Sequence, residues 1–397
     1  MTSIISRTLR RTVIAPSGVR SIATGALRRT ALYDLHKAHG ARFGPFAGWD
    51  MPLVYADQGA LDSHLHTRSH ASIFDVSHML QTRIVGADRH RFLERLVVAD
   101  LKELPVGSST LSLFTNKDGG IEDDTIITQQ QDSLYVVSNA GCADKDYAHL
   151  QQHAKAMQDQ GADVKVQRIE DHALVALQGP ASQRTLERLA GVDLAQMPFM
   201  TGRFIDIKGV PCHVARSGYT GEDGFELSVP ADAAVAITKG LLENPEVKLA
   251  GLGARDSLRL EAGLCLYGSD IDSTTTPMEA NLVWTIGKRR RVEGGFIGAD
   301  VILDQVAKKS GERRRIGLVI DGAPARAHAK VLSPEGEEVG EITSGVPAPS
   351  LGKNIAMGYV KKGHHKKDTP LKVMVRNRVQ DAKVVRMPFV PSRYHKV

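Results

Sequence analysis

The sequence predicts an α+β protein of mixed, mainly antiparallel sheets with helices, followed by an all-β C-terminal module. Three observations carry that prediction. Short apolar runs of strand length alternate with segments of helical apolar spacing. The breaks between them are Gly-Pro and Lys-Gly turns, which suit antiparallel connections. From about residue 312 to the C-terminus only strand-like segments remain.

In chain order, a short helical run at 31–40 precedes an aromatic loop at 43–49. Residues 88–98 read as a helix, with Asp88 at its start and Phe92, Leu93, Leu96 and Val97 on one face. A β-meander covers about 109–139; its first two strands flank the turn Lys117-Asp118-Gly119-Gly120, and Asp132 helps turn into the third. A helix over 143–159 stripes Tyr147, Leu150, Ala154 and Met157 along one side and stops at Gly161. A second region places strands near 164–169, 173–177, 203–207 and 225–229, with helices near 181–189 and 231–242. The basic stretch 288–291 followed by Glu293-Gly294-Gly295 reads as a hinge. Strands at 315–320, 330–332, 338–343, 356–360, 371–375 and 382–386 complete the chain.

At 397 residues there is room for two or three domains and a large core. A hydrophobic content of 42% with no long apolar run gives an ordinary globular composition without a membrane-spanning helix. The net charge of +6 is local. Residues 1–30 hold Arg7, Arg10, Arg11, Arg20, Arg28 and Arg29 with no acid, and the remainder is close to neutral. This Arg- and Ser/Thr-rich leader reads as a mitochondrial transit peptide, so a matrix location is expected. Basic clusters at 313–315 and 361–367 lack interleaved aromatic residues, which argues against nucleic-acid binding. Cys142, Cys212 and Cys265 are too far apart in sequence to read as a metal or redox pair. No metal is expected from the histidines either, because His64, His66, His70 and His78 show no His-Glu-x-x-His spacing.

The most informative segment is the strand that follows the Gly119-Gly120 turn, because it carries Asp123 and Asp124 in succession. Successive strand side chains point to opposite faces, so the two acids split. Either both mark a solvated strand edge, or one serves a polar ligand from the interior. Similar alternatives hold elsewhere. Arg255 and Arg259 share a helix side and suit a planar anion, or pair internally with Asp256 or Glu261. Glu226, within a strand after the acidic turn 219–224, is either a solvated carboxylate or an acceptor for an amino-pyrimidine-like edge. Gly251-Leu252-Gly253 begins like a dinucleotide fingerprint but lacks the third Gly and an opening βαβ unit, so no flavin or nicotinamide site is expected.

Six segments appear in a telling order: Phe74-Asp75-Val76-Ser77-His78-Met79, the Gly-Gly-Ile-x-Asp-Asp hairpin, 135–140, Leu177-Gln178-Gly179-Pro180, 219–224 and 254–263. Together they closely resemble the T-protein family of the glycine cleavage system, from about residue 30 to the Pro-Phe-Val-Pro tail. The resemblance implies a tetrahydrofolate-dependent aminomethyltransferase. Its substrate is the aminomethyl group on the lipoyl arm of the H protein; its products are 5,10-methylenetetrahydrofolate, ammonia and the dihydrolipoyl carrier.

The family fold implied is a three-domain cloverleaf around a central folate channel. In this chain that means a transit peptide at 1–30, two interleaved α+β subdomains over 31–290, and a β-barrel or jelly-roll-like module at 310–397. The second Asp of the pair, Asp124, matches the catalytic acid, facing the folate with Asp123 turned outward. Glu226 matches the carboxylate that reads the pterin, and Arg255 the cation near the glutamyl tail, so that acid and base occupy opposite ends of the pocket. Met79, Leu111, Val137 and Asn139 match pocket-lining positions, and Tyr394 a C-terminal tyrosine that reaches the ligand. Residues 288–291 are the expected docking face for the carrier. A folate-linked demethylating enzyme of this fold would need a flavin domain, and a non-catalytic folate-binding module would not need Asp124, Glu226 and Arg255 together.

Overall fold

The computed structural model describes residues 26–396. Residues 1–25 of the expected leader lie outside them, whereas Arg28 and Thr30 belong to the fold. The Arg28 guanidinium lies 4.1 Å from the centre of the Trp49 ring, and the Thr30 hydroxyl donates to Asp75 at 2.6 Å.

The expected aromatic loop at 43–49 is instead a β-hairpin, Ala41–Phe46 paired antiparallel with Trp49–Tyr55. Ala47 and Gly48 turn it with positive φ angles of 50° and 80°, which suit the twist of a two-residue hairpin. Pro45 and Pro52 hid these strands, since proline normally counts against strand assignment.

Two sheets draw their strands from alternating stretches of the chain. The first runs Thr201–Ile207, Val210–Arg216, Gly224–Pro230, His172–Gln178, Ala71–Asp75 and Val247–Leu249. All its neighbours are antiparallel except the last pair. Ile73, Val175, Leu177, Phe225, Leu227 and Val229 are buried in its core, which the helices Ser182–Ala190 and Ala234–Leu242 cover. The second sheet runs Ser109–Thr115, Ile121–Gln129, Ser133–Ser138, Leu80–Val85 and Lys165–Arg168, fully antiparallel. The helix Ala143–Gln158 buries Leu150, Ala154 and Met157 against it, as the sequence stripe requires.

The C-terminal strands close into a six-stranded antiparallel barrel over Arg313–Ile320 to Arg378–Val385. Beyond it the tail returns across the other two bodies: the Phe389 N–H donates to the Glu261 carbonyl at 2.9 Å and Arg393 N–H to the Gly221 carbonyl at 2.8 Å.

Two expectations need correction. The helix placed at 88–98 spans Arg89–Glu94 only, and its expected continuation, Leu96 and Val97, is still buried in the same core. Residues 288–291 are not a hinge. Arg289 pairs with Glu94 and, at 2.7 Å, with Asp100, and Arg290 is buried beside Glu94, so these cations fasten the segment to the second sheet's domain. Arg291 donates to the carbonyls of Ile286 and Val283. Three of the four charges proposed as a docking face are therefore engaged within the chain. No helix among the described residues is long and apolar enough to cross a membrane.

Candidate functional site

One cavity of about 1130 Å³ opens where the two sheets, the barrel and the tail meet. All eight residues singled out in the sequence line it: Met79, Leu111, Asp124, Val137, Asn139, Glu226, Arg255 and Tyr394.

The Gly119-Gly120 turn positions the acids. Asn116 Oδ1 accepts from the Asp118 and Gly120 backbone N–H groups at 3.0 and 2.9 Å, closing the turn on itself. A Cβ on Gly120 would fall 1.8 Å from the Ser273 carbonyl oxygen, so the turn packs on the neighbouring loop only with glycine there. The register then shifts: Phe114 pairs with Asp123 but Thr115 pairs with Ile121, leaving Glu122 as a bulge. From there alternation sends Asp124 into the cavity and Asp123 to the opposite face.

That opposite face is not solvent. Asp123 is fully buried, which corrects its expected outward exposure. It lies under the helix Ala143–Gln158, close to Cys142 and Asp146. Asn139, at the end of the third strand, binds both acids. Its Nδ2 donates to Asp123 Oδ1 and to Asp124 Oδ1 at 2.9 Å each, and its backbone N–H donates to Asp123 Oδ2 at 3.0 Å. Burial first, and the adjacent Asp123 charge second, push the Asp124 carboxyl up to about 7; the Asn139 donor pulls the other way.

The segment 219–226 divides its three carboxylates. Asp223 receives two hydrogen bonds from the fully buried Arg216, at 2.9 and 2.6 Å, and Glu222 pairs with Arg68 at 2.9 Å. Glu226 is left facing the cavity, and burial raises its carboxyl despite the Arg255 charge. The turn is fixed by Gln178, whose Nε2 donates to the Ser217 carbonyl at 2.9 Å. A Cβ on Gly218 would meet Gln178 Oε1 at 1.9 Å.

Both arginines of the helix Leu252–Glu261 reach the cavity, with different commitments. Arg259 is held by Asp256 and Asp270, so the internal-pairing alternative is correct for it. Arg255 has no such partner. Its guanidinium lies 4.7 Å from the centre of the Tyr219 ring, and its Nη1 is buried with no acceptor among the described residues. Glu226 and Arg255 shift each other's titration, so they work as neighbours rather than at opposite ends of the pocket. Among the described residues no ion pair joins them, which leaves both free to meet a ligand.

Three further lining residues escaped the sequence reading. His78 is buried, packs edge-on against Phe46 at 5.4 Å, and makes no hydrogen bond from either ring nitrogen among the described residues. Burial drops it to about 4, so it is neutral at physiological pH. In the sequence it stood out only within the histidine cluster 64–78 and beside Met79, with no binding role assigned. Phe199 stacks on Tyr394 with ring centres 3.9 Å apart and anchors the tail at the cavity. Tyr219 donates its hydroxyl to the Cys265 carbonyl while its ring supports Arg255. The other histidines have structural partners: His64 binds Glu261 and Ser257, and His66 stacks on His70.

Comparison with known proteins agrees with this architecture. Residues 32–290 match the model of the GCVT N-terminal domain, and residues 313–391 match that of the glycine cleavage T-protein C-terminal barrel domain. Mitochondrial aminomethyltransferases are similar along nearly the whole chain. The protein of Canis lupus familiaris is 55% identical over 94% of this chain and 93% of its own length. That of Homo sapiens is 54% identical over the same shares, and that of Flaveria anomala 52% identical over 93% of this chain and 91% of its own. The crystal structure of the glycine cleavage system aminomethyltransferase T from Bartonella henselae superposes with a TM-score of 0.87 at 40% identity, covering 93% of this chain and all of that one. The chain belongs to the glycine cleavage T-protein family.

Proposed function

We propose that this chain is the mitochondrial aminomethyltransferase of the glycine cleavage system. It moves the one-carbon unit from the aminomethyl-lipoyl H protein to tetrahydrofolate, giving 5,10-methylenetetrahydrofolate, ammonia and the dihydrolipoyl carrier. The observation that carries the reading is the convergence of Asp124, Glu226 and Arg255 on one cavity, in a chain with this identity to aminomethyltransferases. The residues present fit a folate. Such a ligand combines a flat hydrogen-bonding pterin with carboxylates, and the wall offers a buried carboxylate, an unpaired buried Arg255 Nη1, a neutral imidazole and apolar surface. Tetrahydrofolate supplies the attacking nitrogens.

The chain's own residues hold and charge the reacting centre. Asp124 in its ionised form sits where a nitrogen that gains positive charge needs a counter-charge, and accepts the proton which that nitrogen sheds. Asn139 fixes the direction of its carboxylate. Glu226 and Arg255 orient the folate, and Tyr394 closes the cavity from the tail. The leader is inferred to end before Arg28, because Arg28 and Thr30 are bonded into the fold.

The decisive measurement is ammonia release from aminomethyl-lipoyl H protein with and without tetrahydrofolate. Fast release that requires folate is expected. A non-catalytic folate-binding module would bind folate and leave the release rate unchanged.

A further inference from the structure

Behind Asp124, on the side of the strand turned away from the cavity, two buried acids meet. Asp123 and Asp146 are both buried, and their carboxylate oxygens lie within 4.8 Å of each other and of Cys142 Sγ. Both Asp123 oxygens already accept hydrogen bonds from Asn139. Asp146 Oδ2 has no donor at all among the described residues. The nearest cation, Lys145, turns to Glu122 at 2.9 Å instead. Two carboxylates this close and this buried cannot both be charged, so the pair carries one proton. It belongs on Asp146, because Asp123 is the one surrounded by donors. The first turn of the helix Ala143–Gln158 stabilises the single negative charge that remains.

We propose that Asp146 is a positioning residue: it keeps a proton, donates it as a hydrogen bond to Asp123, and thereby holds Asp123 ionised and Asn139 fixed on Asp124. The inference rests on the proposed role of Asp124 for its functional consequence. The chain of contacts runs Asp146, Asp123, Asn139, Asp124, from a helix that never touches the cavity to the group that does. The groups facing this chain are Glu122 on the strand, Cys142 and Lys145 on the helix side, and Tyr219 and Cys265 from the cavity side. Burial raises the Asp146 carboxyl first and Asp123 next to it second; Lys145 opposes them. Without Asp146 as donor, Asp123 takes up a proton itself. Asn139 then loses a charged acceptor, and Asp124 loses the neighbouring charge that delays its ionisation.

Two variants of the full chain test this. Asp146→Leu removes the donor, and the pH midpoint of folate-dependent ammonia release is expected to move acidic by about one unit with a lower rate. Asp146→Asn keeps a neutral donor and is expected to restore both midpoint and rate. Infrared spectroscopy reads the proton directly. At about pH 8.5, where Asp124 is ionised, the difference spectrum of wild type against Asp146→Asn is expected to contain a carboxylic-acid C=O band assigned to Asp146. An empty difference spectrum overturns the proposal, as does a folded Asp146→Leu enzyme with a wild-type midpoint. If Asp146→Leu does not fold, the infrared result decides. That result is independent of catalysis: an active Asp124→Asn enzyme would sink the role of Asp124 and leave the Asp146 band in place.

Discussion

The side-chain amide of Asn139 donates to the carboxylate of Asp124 at 2.9 Å, and the same nitrogen reaches Asp123 at the same distance on the other side of the strand. A carboxylate with one oxygen held by Asn139 in the cavity wall keeps its other oxygen for a ligand. Asp124→Ala is therefore expected to lower ammonia release by a factor on the order of 10² or more while the fold survives. The pH dependence follows from the raised carboxyl. The ionised form is the active one in this reading, so the rate should rise with pH through about 7. Asp124→Asn should abolish that ionisation together with the rate. A near-normal rate in Asp124→Ala refutes the assignment.

Arg255 is a buried cavity cation whose Nη1 has no acceptor among the described residues, whereas Arg259 is locked to Asp270. A bound folate that supplies the acceptor removes that deficit. Arg255→Ala is expected to weaken folate binding about 10- to 100-fold, with a smaller effect on turnover at saturating folate, as for loss of a charge-assisted hydrogen bond. Calorimetric folate affinity equal to wild type would rule the contact out. Removing the neighbouring charge with Glu226→Gln should also weaken binding, and the double variant should show a non-additive loss because the two groups interact.

His78 contributes to the cavity wall an imidazole whose Nδ1 has no partner among the described residues, neutral because burial opposes its charge. Replacement by phenylalanine keeps the edge-on packing against Phe46 and deletes only the polar atoms. His78→Phe should raise the KM for folate about tenfold, the size of one ordinary hydrogen bond, with turnover at saturation preserved. An unchanged KM would make His78 a packing residue.

What sequence reasoning could reach follows from the range of each signal. The hairpin at Gly119-Gly120 was legible because turn chemistry and alternation are local, and alternation also split Asp123 from Asp124. It could not say what lies behind each face. The helix over Asp123 brings Asp146 from a later segment, so the buried acid pair emerges only in three dimensions. The strand Ala71–Asp75 escaped because it is buried on both faces and shows no alternation. The division of labour between Arg255 and Arg259 also depended on distant partners: Asp270 lies beyond the helix that carries both. The family resemblance supplied the eight cavity positions, and the fold brings all of them to one cavity.

Glu261 is the buried hub that ties the cavity helix to the rest of the molecule, and it sets the last prediction. It accepts from Arg68 at 2.8 Å, from His64 at 3.1 Å, and from the Ser350 N–H and hydroxyl of the barrel at 2.9 and 2.7 Å. These donors hold its carboxyl at about 2 against the opposing effect of burial, and His36 does the same for Asp75. A depressed carboxyl contributes stability that is fully present above its unfolded pKa, near 4, and is lost as pH falls through the folded value near 2. For Glu261 the contribution is on the order of 3 kcal/mol at neutral pH. Glu261→Gln keeps the shape and removes the charge, so it should be clearly less stable than wild type at pH 7. The gap should narrow as pH drops below about 4.5, where Glu261 of the unfolded chain takes up its proton, and close as the folded carboxyl protonates near 2. Urea midpoints for both proteins at neutral pH, at about pH 4.5 and at about pH 3 would test this. A gap that stays constant across that range would mean the charge of Glu261 is not what joins the helix to the barrel.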